Sequence, residues 1–135
     1  MTERPEKVQI IDLRQADYVG GHLRGSMHIP YDKFTEQKAE ELVKLLVGKK
    51  DIVFLCMYSK TLAPECASKY ARTRLKYIED QFVENQNVLV LLGGMSIIMT
   101  VWFCAGTAGG LIVGYDENMW KIETSIGLIH IYTIR

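Results

Sequence analysis

Apolar positions along the chain fall into short β-branched runs separated by stretches of helical spacing. Val8 to Leu13 is one such run, bounded by charge and ending at Asp12-Leu13-Arg14, which predicts a buried strand. Gly20-Gly21-His22 through Pro30 predicts a loop. Between Lys33 and Leu46, Ala39, Leu42, Val43, Leu45 and Leu46 recur at helical spacing, and Gly48 marks the stop. Asp51 to Leu55 predicts a second buried strand. The following helix carries Pro64 in its first turn, where the missing N–H is harmless, with Ala67, Tyr70, Ala71 and Leu75 facing inward. Val88 to Leu92 predicts a third strand, closed by Gly93-Gly94. Strands alternating with helices predict an α/β fold: a single domain with a mostly parallel central sheet flanked by helices on both faces.

Two apolar stretches complicate this pattern. Val88 to Tyr115 carries no charge and is long enough to span a bilayer as a helix, so a single-span membrane protein is an alternative reading. Gly93-Gly94 and Gly106, Gly109, Gly110 and Gly114 instead divide it into pieces of strand, helix and loop size. Met95 to Ala105 has no polar face, so its outer side is expected to be covered. Near the end, Ile126 to Ile134 has strong strand propensity and is expected either to fill a vacant sheet edge or to add to the sheet of a neighbouring subunit.

Composition narrows the function classes. The chain has 135 residues, 48% hydrophobic and 24% charged, which suits one domain folded around a core. Lys plus Arg equals Asp plus Glu at 16 each, so no general attraction to nucleic acid arises from net charge. Cys56, Cys66 and Cys104 contain no C-x-x-C pair, which argues against a disulfide framework or zinc site; no metal is expected. A reducing interior follows, either cytoplasm or an organelle such as the mitochondrion. The opening MTERPEKVQ has no apolar core of a secretory signal.

The chemistry concentrates in Cys56-Met57-Tyr58-Ser59-Lys60-Thr61-Leu62-Ala63-Pro64, which runs from a strand end into a helix start. Backbone N–H groups curling there, backed by the positive end of a helix, can cradle a tetrahedral oxyanion and favour the thiolate of a cysteine at the base. Such a thiolate is a nucleophile.

The loop resembles the H-C-x-x-S-x-x-R-x-P pattern of cell-division-cycle dual-specificity phosphatases and arsenate reductases, with Cys56, Ser59 and Pro64 in register. Asp12-Leu13-Arg14, then Gly21-His22-Leu23-Arg24-Gly25-Ser26 and His28-Ile29-Pro30, are similar to the D-x-R…G-H-I-x-G-A-x-N-I-P signature of the rhodanese-like superfamily. Leu91-Leu92-Gly93-Gly94-Met95 resembles its L-x-G-G-[FW] turn. The resemblance covers about residues 8–120, leaving 121–135 as a C-terminal extension with an extra strand. It implies Cys56 as candidate nucleophile, an anion-binding loop of Met57, Tyr58, Ser59, Lys60, Thr61 and Leu62, and structural roles for Asp12, Arg14, His22 and Pro64. It also implies a phosphate or arsenate substrate, with glutathione or a dithiol the only co-reactant, and only for a reductase. A leading edge strand and helix, usual in the family, do not precede Val8, so one sheet edge is expected to lie open.

Two positions depart from the pattern. The histidine before the cysteine is Leu55, and the arginine that would grip the oxyanion is Leu62. A lost transition-state donor typically costs about a hundredfold to a thousandfold in rate, and Lys60 offers a flexible point charge rather than a fork. The sequence therefore reads as a non-catalytic module with a vestigial Cys56, a structural or interaction subunit of a larger assembly. Protein partners are expected through the 95–105 helix and the 126–134 strand, and proximity to a membrane stays open. The alternative is a divergent cysteine-dependent phosphatase or arsenate reductase.

Overall fold

The computed structural model describes residues 7–78, 85–104, 110–126 and 129–134. Strands β1 (Val8–Asp12), β4 (Asp51–Leu55) and β5 (Asn87–Val90) lie parallel, joined on the far side of β1 by the two-residue β3 (Met27–His28), giving the order β3-β1-β4-β5. Ile11 pairs with Phe54 and Val53 with Leu89 across the middle of this sheet. Parallel neighbours need crossovers, and α1 (Glu36–Leu45) and α2 (Leu62–Ile78) supply helices for them.

Alternation along the strands separates two faces. On one, Ile11, Leu13, Ile52 and Phe54 pack with Ala39, Leu42 and Val43 of α1 and with Ala63, Cys66, Ala67 and Tyr70 of α2. On the other, Leu55 joins Met57, Met95 and Met99 of α3 (Gly94–Cys104), together with Leu23, Ile112 and Trp120. Helices thus lie on both faces, as predicted, but among the described residues α3 alone serves the second. Thr35 caps α1 by accepting from the Lys38 amide, which fixes the start that spacing placed near Lys33.

The segment predicted as loop between Gly20 and Pro30 holds β3 and β2 (His22–Leu23), the latter antiparallel to β6 (Ile112–Val113). His22, expected in a loop, is therefore a strand residue opposite Val113. Pairs this short carry no periodicity of their own.

The C-terminal strand does not fill the vacant edge of the central sheet. β8 (Ile129–Ile134) pairs antiparallel with β7 (Trp120–Ile126) in a separate two-stranded sheet, and its backbone runs beside α3. Adjacent strands meet at small loop-closure cost, which favours this local pairing over a distant sheet edge. Part of the apolar α3 is thereby flanked, while Ile97 and Val101 stay exposed. Among the described residues no helix is long and apolar enough to cross a membrane, and the uncharged stretch is divided into β5, α3 and β6.

Candidate functional site

Cys56 follows β4 directly, and α2 begins at Leu62, so the intervening loop sits at the carboxyl ends of the parallel strands. Its first and fourth residues are tied reciprocally. The Ser59 amide donates to Cys56 Sγ at 3.2 Å, and the Cys56 amide donates to Ser59 Oγ at 3.3 Å. Ser59 has a φ of 56°, the left-handed conformation that curls successive amides inward. Cys56, Met57 and Ser59 are buried, whereas Tyr58, Lys60 and Thr61 are exposed.

Leu62 opens α2 and is half-buried, packed against the cluster that contains Ile11, Phe54 and Tyr70. Pro64 lies in the first turn of α2, as spacing suggested. Nearby, Tyr31 Oη donates to Glu65 Oε2, which with burial raises the Tyr31 hydroxyl pKa. Burial pushes the Cys66 thiol, one turn further along α2, up to about 12, so this second cysteine is held neutral.

The back of the loop is fixed by α3. The amides of Met95 and Ser96 donate to the carbonyls of Cys56 and Met57 at 3.0 and 2.9 Å. Gly94 (φ +60°) makes this approach possible: a Cβ there would press on Cys56 O and lie 2.7 Å from Met57 O. The leading amides of α3 are thus turned to loop carbonyls, leaving the cradle to the 56–62 amides. Sequence reading placed Gly93-Gly94 as a strand end and as the turn of the family signature, and missed this docking; the paired glycines were its one signal.

Asp12 and Arg14 hold the neighbouring corner. Arg14 donates from Nε and a terminal nitrogen to the Asp12 carboxylate, and its side chain also reaches the carbonyls of Gly21 and Asp17. The residue is 1% exposed. The Tyr18 ring stacks on His28 at 3.5 Å between centroids, with the Arg14 guanidinium 4.9 Å from its centre, and His28 Nε2 donates to Arg14 O at 2.6 Å. Among the described residues, no three His, Cys, Asp or Glu side chains come together as metal ligands would. The arrangement presents a thiol facing a backbone amide in a curled loop, with an aliphatic group where the loop meets its helix.

Residues 1–99 match the family described as Rhodanese-like domain. Among curated proteins, the chain is 26% identical over 125 residues to the CDC25-like phosphatase YCH1 of Saccharomyces cerevisiae, covering 86% of this chain and 80% of that protein. It is 33% identical over 87 residues to Arsenate reductase 2.2 of Oryza sativa subsp. japonica, covering 64% of this chain and 66% of that one. Among solved structures, the As–Sb reductase of Leishmania major shares the fold with a TM-score of 0.66 at 24% identity, covering 93% of this chain and 79% of that one.

Proposed function

The chain belongs to the rhodanese-like domain family, related to phosphatases and arsenate reductases, and within it we propose a non-catalytic module that serves as a structural or interaction subunit of a larger assembly. One observation carries this reading: the side chain at position 62 is aliphatic and packed against the core cluster. Oxyanion chemistry needs a charge-matched, preorganised donor as negative charge grows in the transition state, and Leu62 supplies none. The exposed Lys60 is a hydrated point charge on a mobile stem, a poor replacement. The module acts inside the cell, and its protein partners meet it through the α3 face and the C-terminal strand.

The test uses the purified full chain with an aryl phosphate, and separately with arsenate and glutathione. Wild type is expected to show no turnover that depends on Cys56, while Leu62→Arg gains it. Wild-type turnover abolished by Cys56→Ser, and little improved by Leu62→Arg, overturns the reading.

A second reading is favoured by the Ser59 amide on Cys56 Sγ and the positive φ of Ser59. It is a divergent phosphatase or arsenate reductase in which loop amides alone bind phosphate or arsenate, and a thiol such as glutathione completes the reductase cycle. The same experiment separates the two.

A further inference from the structure

Strand β5 ends the central sheet, and among the described residues no strand pairs with its outer side. The amides of Asn87 and Leu91 donate inward, to Lys50 O and Phe54 O of the β4 side. Because a strand repeats every two residues, Val88 and Val90 turn both their N–H and their C=O outward. Their side chains pack against the covered α1/α2 face. Leu89 points to the opposite face and is 45% exposed. There it borders a groove of about 360 Å3 lined by Val8, Asp51, Val53, Leu89, Val90 and Leu91. Leu92, 88% exposed, and Ile97 and Val101 on α3 extend the exposed apolar surface beyond it.

Free edges are ordinarily guarded by a lysine, an inward charge or a proline. From Asn85 to Tyr115 this chain has no charged residue and no proline. Asp51, the one charged residue in the groove, belongs to β4 and accepts from Asn87 Nδ2 at 2.9 Å.

We propose that β5 pairs antiparallel with β5 of a second copy of this chain, making one continuous sheet across a two-fold axis. The positions of the outward groups set the register. Val88 of each copy stands opposite Val90 of the other as a hydrogen-bonded pair, and Leu89 stands opposite Leu89 in the closer, non-hydrogen-bonded pair on the axis. A two-fold contact sets each residue on the axis against itself, so a charged edge would oppose its own charge; this edge is neutral and puts leucine against leucine. A strongly acidic or basic partner finds no complement on it. The inference names a partner beyond the interaction-module reading, and it stands on the sheet edge alone, so turnover at Cys56 does not bear on it.

The full chain is expected to sediment with twice its monomer mass across a micromolar concentration series. Leu89→Lys, which sets two ammonium groups face to face on the axis, is expected to sediment as a monomer with an unchanged far-ultraviolet spectrum. Leu89→Cys is expected to form, under mild oxidation, a covalent dimer whose cross-link maps to position 89 in both chains, and wild type is not. A monomeric wild type overturns the proposal, and so does a wild-type dimer that Leu89→Lys leaves intact. If Leu89→Lys does not fold, the cross-link decides, and its absence at position 89 overturns the proposal.

Discussion

The Ser59 amide donates to the Cys56 thiol while the Cys56 amide donates to the Ser59 hydroxyl, so each residue closes the other's end of the loop. Removing one arm exposes the cost of the other. In Ser59→Ala the buried Cys56 amide loses its acceptor, and stability is expected to fall by about 1–3 kcal/mol, the penalty for an unsatisfied buried donor. Denaturant unfolding checks this, and an unshifted midpoint contradicts it.

Gly94 and Gly25 make a matched pair. Both have positive φ, but a Cβ at 94 meets the Cys56 and Met57 carbonyls, whereas one at 25 meets nothing within 4 Å. Gly25→Ala is expected to cost about 1–2 kcal/mol, from left-handed strain alone. Gly94→Ala costs more, because the loop must move off the α3 amides. Equal thermal shifts for the two variants would show that the close approach carries no weight.

The buried Asp12–Arg14 pair leads to a third prediction. Arg14→Met leaves the Asp12 carboxylate buried without its cation and is expected to destabilise by about 3–5 kcal/mol. The double variant Asp12→Leu/Arg14→Met recovers part of that loss. A double-mutant cycle in urea measures the coupling, and simple additivity would refute it.

Alkaline pH provides the fourth. Burial raises Cys66 from 9.0 to about 12 and Tyr70 from 10.0 to about 12. Between those limits the unfolded chain has released protons that the folded chain retains, so stability falls as pH rises from about 9 towards 12. Cys66→Ala is expected to flatten the first part of that decline. Stability that holds level over this range would contradict the assignment.

Sequence pattern located the elements whose periodicity is their own. Val8–Asp12, Asp51–Leu55 and α2 with Pro64 in its first turn were legible because burial on one or both faces writes directly into residue choice. The two-residue strands β2, β3 and β6 were not, since partners far along the chain define them. The pairing of β8 with β7 was not legible, because propensity names a strand without naming its neighbour. At the loop, the cysteine, serine and proline were picked out by their register with the family motif. The left-handed Ser59 and the docking of the Met95 and Ser96 amides depend on three-dimensional approach, for which only Gly93-Gly94 left a trace.

The indole of Trp120 donates to the Gly20 carbonyl at 2.9 Å, joining groups a hundred positions apart. A ribosome must therefore have passed Trp120 before the turn behind Arg14 can be sealed by this bond. Until residues 116–120 have emerged, the Gly20 carbonyl has neither the Asp116 amide nor the Trp120 indole to accept from, so closing this corner waits on contacts of high sequence separation.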